Sequence, residues 1–161
     1  MKKQWLNLGL ILILMTGLNT QIAQADQGVT HTLIPTGSDY RADTLQRFAL
    51  AAAQRDTNGV VELLVLPITY GTDAYNITNG ERQKNLDLAD NRRGQIETAC
   101  NAVKSSSQTC HVVLAPVLIR DDAYLQSNLD LFQVDVDGMY ILGGDQTIAM
   151  KVVANTPFEE R

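Results

Sequence analysis

The chain has 161 residues, of which 45% are hydrophobic and 19% charged, with 11 glycines and 4 prolines. This composition is typical of a globular protein, and it excludes a disordered tail, a collagen-like repeat and a small domain built on many disulfides. Eighteen acidic residues against 13 basic ones give a net charge of −5 without any basic stripe, so we expect no nucleic-acid partner.

The first 25 residues have the features of an export signal. Lys2 and Lys3 give a positive start, Leu6–Leu18 is a mostly apolar run, and Ala23-Gln24-Ala25 places small residues where a signal peptidase cuts. The apolar run is short for a membrane span, although a membrane anchor is the alternative interpretation. We therefore predict cleavage after Ala25, export to a periplasmic or extracellular location, and no membrane association afterwards.

Removal of residues 1–25 leaves 136 residues with a net charge of −7, because two lysines and no acidic residue are lost. The first predicted strand of this mature chain is His31–Thr36. A helix follows from near Asp43, which precedes Gln46 by three residues as in a capping box, and Asn58-Gly59 is expected to end it. Its apolar face is formed by Leu45, Phe48, Ala49 and Ala52.

Strands and helices alternate along the rest of the chain. The predicted strands are Val60–Pro67, Cys110–Val117 and Asp137–Leu142, and the predicted helices are Glu81–Lys104, Asp122–Phe132 and one through Ile148, Ala149, Val152 and Val153. Nearly continuous apolar strands in such an alternation indicate a mostly parallel sheet with helices on both faces. The predicted fold class is therefore α/β with three layers.

The two cysteines, Cys100 and Cys110, have two interpretations. In an exported protein they are expected to form a disulfide, whereas Cys100 also falls on an apolar helical face with Ile96, Ala99 and Val103, which suits buried free thiols. We favour the disulfide. Two cysteines beside one histidine make a poor zinc site, so we expect no metal and no other cofactor.

The C-terminal segment has the pattern of a helix start. Thr156 would be the N-cap, Pro157 the first helical residue and Glu159 the third, yet the sequence ends two residues later, at Arg161. We therefore expect residues 26–161 to be the N-terminal part of a single, C-terminally truncated α/β domain. A frayed natural terminus is the alternative.

The turn after the last predicted strand is the candidate binding site. Gly143 and Gly144 allow a tight turn and a close approach to a ligand, Asp145 suits the cap of the next helix, and Gln146 falls in its first turn. Such a turn lies at the carboxyl ends of parallel strands, where ligands bind. The alternative is a plain strand-to-helix turn with an aspartate cap.

Gly143-Gly144-Asp145-Gln146, with Thr147–Met150 and Asn155-Thr156-Pro157-Phe158-Glu159 after it, resembles the cyanophycinase and peptidase E family of serine peptidases. The order of the predicted strands is similar to that family over residues 31–161. The resemblance implies a class I glutamine amidotransferase-like fold and hydrolysis of aspartate–arginine isopeptide polymer or related β-aspartyl peptides. It also implies that Gly143, Gly144, Asp145 and Gln146 contact the peptide substrate.

The same resemblance implies that the catalytic residues are missing. The family's nucleophile is a serine in a Gly-Thr-Ser-Ala-Gly elbow, and no such motif occurs before Arg161. We therefore assign no catalytic residue and expect the fragment to be inactive by itself. The first loop, Thr36-Gly37-Ser38-Asp39, also departs from the Gly-Gly pair and following acids that the family often has, which leaves the substrate choice open.

Other polar residues have weaker patterns. Ser38 lies in the first strand-to-helix loop without an elbow around it, and His31 and His111 start strands, at the edge opposite to the ligand-binding one. Asp121 and Asp122 follow a strand at the active edge, where they either receive a cationic substrate group or, as we favour, are solvated. The alternative function is a non-catalytic exported domain that binds a ligand at Gly143–Gln146. The sequence is compatible with a monomer or a homodimer.

Overall fold

The structure is a computed structural model that describes residues 40–132 and 135–160. The predicted signal segment, the predicted strand His31–Thr36 and the residues His31 and Ser38 lie outside the described residues. The helices are α1 (Ala42–Ala53), α2 (Asn79–Val103), α3 (Gln126–Leu129) and α4 (Gln146–Val153), the strands are β1 (Val60–Leu66), β2 (Thr109–Leu114) and β3 (Gly138–Ile141), and 3-10 helices cover Arg120–Tyr124 and Asp130–Phe132.

The three strands form a parallel sheet in the order β2-β1-β3. Val61 is opposite Cys110 in β2, and Val65 is opposite Leu114 in β2 and Tyr140 in β3. β1 is the central strand of this described sheet, which explains its nearly continuous apolar sequence. The predicted α/β class with a parallel sheet is confirmed.

Alternate residues of β1 contribute to two separate hydrophobic cores. Val61, Leu63 and Val65 pack with buried residues of α1 and α2. Leu64 and Leu66 pack with buried residues of α3 and α4 and with the segment before β3. Because successive side chains of a strand point to opposite faces, helices cover both faces of this sheet.

α1 ends before the position that the sequence predicts. Its last residue is Ala53, and Asn58-Gly59 instead forms a separate turn into β1, held by the Asp56 carboxylate, which accepts from the backbone N–H groups of Asn58 (2.8 Å) and Gly59 (2.9 Å). Gly59 has φ +87°, a left-handed conformation that favours glycine. The predicted capping box is also wrong, because Asp43 lies inside the first turn and Arg41 is the N-cap, without a side-chain bond.

α2 begins two residues before the predicted start. The Thr78 hydroxyl accepts from the Glu81 N–H (3.2 Å), a cap that fixes the first turn. α2 is 25 residues long but mostly polar, and in the described part of the chain no helix combines the length and the apolar character needed to cross a bilayer. β2 ends at Leu114, earlier than predicted. The Ala115 N–H still donates to the Val65 carbonyl (3.0 Å), but the Val117 N–H turns back to the Ala115 carbonyl (2.8 Å), so the chain leaves the sheet there.

The single helix predicted over residues 122–132 is three short pieces. Leu125 is extended (φ −71°, ψ 124°) and separates the first 3-10 helix from α3. The break is stabilised by Asn128, whose side-chain amide donates to the backbone carbonyl of Asp122 at 2.8 Å. The Asn128 side chain competes with the backbone for this carbonyl and so interrupts the helix. The spacing of apolar residues, from which a single helix was predicted, does not reveal such a bond.

The predicted helix start at Thr156 is a turn in the structure. The Thr156 hydroxyl donates back to the Val153 carbonyl (2.6 Å), and the Glu159 carboxylate accepts from the Asn155 N–H (2.6 Å). Asn155 has φ +54°, so α4 ends with an asparagine in the left-handed conformation. The threonine therefore completes the preceding helix and does not cap a new one.

Candidate functional site

The carboxyl ends of β1 and β3 lie side by side because the two strands are parallel. The Leu142 N–H donates to the Leu66 carbonyl at 2.9 Å, one residue beyond the end of β3. The chain then turns through Gly143–Asp145 into α4. The turn that the sequence singles out thus lies at the edge of the sheet where ligands bind in open α/β folds.

Gly144 packs directly on Thr69, in the segment that follows β1. A Cβ added at Gly144 would lie 2.4 Å from the carbonyl oxygen of Thr69 and 2.7 Å from its hydroxyl oxygen. Both oxygens already hold the turn, since the hydroxyl donates to the Leu142 carbonyl (2.6 Å) and the carbonyl accepts from the Asp145 N–H (3.1 Å). Glycine at 144 therefore allows two backbone segments to meet at this edge.

Asp145 is the N-cap of α4. Its Oδ1 accepts from the backbone N–H groups of Thr147 (2.7 Å) and Ile148 (3.3 Å), so these two N–H groups of the first helical turn are bound within the chain. Gly144, Asp145 and Gln146 are exposed. The side-chain amide of Gln146 is consequently a polar group that the turn presents to solvent beside the sheet edge.

Tyr40 connects the turn to the residues before α1. The Gly143 N–H donates to the Tyr40 hydroxyl oxygen at 2.8 Å, across 103 residues of sequence. The Tyr40 ring lies near the ring of Tyr140 in β3, with a centroid distance of 6.3 Å. Both glycines of the turn are therefore held by long-range contacts, Gly143 by Tyr40 and Gly144 by Thr69.

Arg92 and Tyr70 complete this cluster. The Arg92 guanidinium carbon lies 4.0 Å from the centroid of the Tyr40 ring, a cation–π contact. Burial, followed by the neighbouring Tyr40 hydroxyl, raises the pKa of Tyr70 to about 12, and Arg92 acts in the opposite direction. The phenol of Tyr70 is therefore a neutral hydrogen-bond donor at neutral pH.

Asp122 is neither solvated nor accessible to a substrate, which corrects both interpretations of this residue. Its side chain is buried, its carboxylate pairs with both terminal nitrogens of Arg82, and it also accepts from the N–H groups of Leu118 (2.9 Å) and Ile119 (3.1 Å). Asp121 is exposed, as favoured. Asp122 is thus a structural acid that joins α2 to the segment after β2.

His111 lies at the opposite, amino edge of the sheet. Its Nδ1 is 2.5 Å from Glu62 Oε2, and the two residues are register partners on adjacent strands. A small open pocket of about 100 Å³ lies beside this pair. Nearby, Asp137 accepts from the Glu62 N–H (2.9 Å), while burial and then the carboxylates of Asp56, Asp135 and Glu62 raise its pKa despite that bond.

Cys100 and Cys110 form a disulfide, with their Cα atoms 6.2 Å apart. The bridge joins the last turn of α2 to the start of β2. Among the described residues, no group of three or more histidine, cysteine, aspartate or glutamate side chains is arranged to hold a metal ion.

Sequence reasoning missed four members of the site: Tyr40, Thr69, Tyr70 and Arg92. Thr69 and Tyr70 fall in the loop after β1, whose length of more than ten residues is itself a functional signal. Arg92 has the pattern of an ordinary solvated helix residue, and Tyr40 precedes a helix without any motif. Their roles depend on contacts across the fold. In comparisons with known proteins, this chain matches no family model, no curated protein and no solved structure.

Proposed function

We propose that this chain is the N-terminal part of an exported serine peptidase of the cyanophycinase type, with a class I glutamine amidotransferase-like fold. Its substrate would be an aspartate–arginine isopeptide polymer or a related β-aspartyl peptide. The carboxyl edge of the sheet, including Gly143–Gln146, would form one wall of the substrate crevice. No cofactor is required for this reaction.

The observation that carries the proposal is the contact of Gly144 with Thr69. A plain strand-to-helix turn needs only an N-cap, whereas here Gly144 packs directly against the loop after β1, and Gln146 is exposed at the sheet edge. A side-chain amide at this place suits a peptide carbonyl or amide, because it both donates and accepts hydrogen bonds.

The reaction would divide between this chain and a nucleophile supplied by sequence that follows Arg161 in the complete gene product. There, a serine hydroxyl would attack the isopeptide carbonyl and form an acyl-enzyme as the amine leaves, and water would then release the acid. Gln146 would orient the substrate. The chain of 161 residues would bind this substrate without hydrolysing it.

Two features support the exported location. The first 25 residues have the charge and hydropathy pattern of a signal peptide. The Cys100–Cys110 disulfide suits an oxidising compartment, in which such bonds persist. A second candidate function, a non-catalytic exported binding domain, uses the same turn and differs only in lacking the serine.

The test is hydrolysis of β-aspartyl-arginine by the complete gene product, purified from its exported fraction. We expect release of arginine, loss of the reaction when the elbow serine is changed to alanine, and a raised KM in Gln146→Ala. Gln83→Ala, an exposed glutamine on α2, is the matched control and should keep the wild-type KM. Binding of the dipeptide without any hydrolysis would contradict the peptidase and favour the binding domain.

A further inference from the structure

Arg92 is half-buried and has no carboxylate partner among the residues that the structure describes. Its neighbours on α2 differ in this respect. Arg82 pairs with Asp122, and Arg93 pairs with both Asp90 (2.7 Å) and Glu97 (2.8 Å). In a chain with a net charge of −5, a guanidinium without an acid is a site of local positive potential.

The contacts of Arg92 orient its guanidinium without neutralising it. Nη1 donates to Gln95 Oε1 at 2.8 Å, and the plane lies over the Tyr40 ring, with 4.0 Å from the guanidinium carbon to the ring centroid. Both partners are uncharged. An arginine has five N–H donors, so donors remain for a ligand after the bonds to Gln95 and to the Tyr70 phenol.

Arg92 is connected to the turn by one intervening residue. Tyr40 contacts the guanidinium with its ring and the Gly143 N–H with its hydroxyl. Tyr70, which also interacts with Tyr40 and Arg92, directly follows the Thr69 that packs on Gly144. Arg92, which has no acidic partner within residues 40–132 and 135–160, thus belongs to the same edge as the Gly143–Gln146 turn.

We infer that Arg92, with the phenol of Tyr70 beside it, forms a carboxylate-binding subsite next to the turn, an inference that rests on the proposed function. The substrate class is then narrower than a peptide in general. The ligand must carry a free carboxylate close enough to its amide bond that Arg92 can bind the carboxylate while Gln146 contacts the amide. The guanidinium fork matches the two oxygens of a carboxylate. The neutral phenol of Tyr70 leaves the positive charge of Arg92 uncompensated.

The experiment measures binding of two ligands to the chain of 161 residues by calorimetry. One ligand is β-aspartyl-arginine, which has a free α-carboxylate on its aspartyl residue, and the other is the same dipeptide with that α-carboxylate amidated. We expect the wild-type chain to prefer the free carboxylate by at least tenfold. Inorganic phosphate serves as a competitor, and displacement by it below the millimolar range would show a general anion site and overturn the carboxylate assignment.

Three variants separate recognition from folding. Arg92→Gln should lose the preference, so that both dipeptides bind with equal and weak affinity, and Arg92→Lys should recover part of it because the charge remains. Arg93→Gln, one residue further along α2 and already paired with two acids, should keep the full preference. The ratio of the two affinities reports the subsite, since a merely structural role of Arg92 would weaken both ligands alike.

The subsite and the peptidase can fail separately. An Arg92-dependent preference in a gene product that does not hydrolyse the dipeptide would overturn the peptidase and support the subsite. Hydrolysis with the same KM in wild type and Arg92→Gln would support the peptidase and overturn the subsite. Equal binding of the two dipeptides by the wild-type chain would also overturn the subsite.

Discussion

Gly144 lies against Thr69 with no space for a side-chain carbon between them. An added Cβ would be 2.4 Å from the Thr69 carbonyl oxygen, a backbone atom whose position is fixed by its bond to the Asp145 N–H. The contact unites two loops that are far apart in the sequence. It decides both the shape of the candidate site and the response of the fold to substitution there.

Gly144→Ala should therefore destabilise the protein by about 1–3 kcal/mol, because the backbone of one loop must move to admit the methyl group. Urea unfolding followed by circular dichroism measures the change. Gly94→Ala is the control, since Gly94 lies within α2 with open space around an added Cβ, and it should stabilise by roughly 0.5–1 kcal/mol. Equal stabilities of Gly144→Ala and wild type would show that the contact is not tight in solution.

Removal of the Asp122 carboxylate should be among the more costly changes. Asp122→Ala leaves the Arg82 guanidinium and two backbone N–H groups without their acceptor, and we expect a loss of roughly 2–4 kcal/mol, reduced from the fully buried case because Arg82 is partly exposed. Thermal unfolding provides the measurement. The neighbouring exposed variant Asp121→Ala should stay within about 0.5 kcal/mol of wild type.

Reduction of the Cys100–Cys110 disulfide should lower the free energy of unfolding by about 2–3 kcal/mol, the value expected from the entropy of a closed loop with a sequence separation of 10. Chemical unfolding with and without a reductant measures it. The double variant Cys100→Ala/Cys110→Ala should be equally unstable in both conditions. An unchanged free energy of unfolding of the wild-type protein in the presence of the reductant would contradict the prediction.

Ionisation of Asp137 should lower the free energy of unfolding as the pH rises. Its pKa is raised by burial and by the carboxylates around it, so the folded state holds a proton that the unfolded chain has already released. The stabilisation is complete below the unfolded pKa of about 3.8 and is lost as the pH passes through the raised folded pKa.

Asp137→Asn tests this prediction, because asparagine keeps an oxygen acceptor for the Glu62 N–H but does not titrate. The decline in stability between pH 4 and neutrality, measured by thermal unfolding over that range, should be smaller in the variant than in wild type. Asp121→Asn should follow the wild-type curve. A variant curve parallel to that of wild type would assign the decline to other groups.

The sequence was sufficient where structure depends on near neighbours. The apolar run of β1 predicts a buried strand because both faces of that strand meet helices, and the spacing of Leu45, Phe48, Ala49 and Ala52 predicts α1 because these four residues share one face. Element ends were less predictable. Asn58-Gly59 ended the predicted helix too late, since the Asp56 carboxylate holds that turn as a separate unit.

The candidate site shows the same division. The Gly143–Gln146 turn follows from local pattern, because a strand, two glycines and a capping aspartate are consecutive. Tyr40 and Arg92 reach it only through the fold, and no spacing in the sequence relates a tyrosine to an amide 103 residues away. The prediction that Asp122 is solvated was wrong because its loop position gives no sign of the buried ion pair that it forms with Arg82 of α2.

The disulfide has a mechanical consequence for the carboxylate subsite. It fixes one end of α2 to the start of β2, so the helix cannot slide along its own axis past the sheet while the bond is intact. Arg92 precedes Cys100 by eight residues, about 12 Å of helix. The covalent bond therefore limits movement along the helix axis, the direction in which the Arg92 guanidinium would shift relative to the ends of the strands.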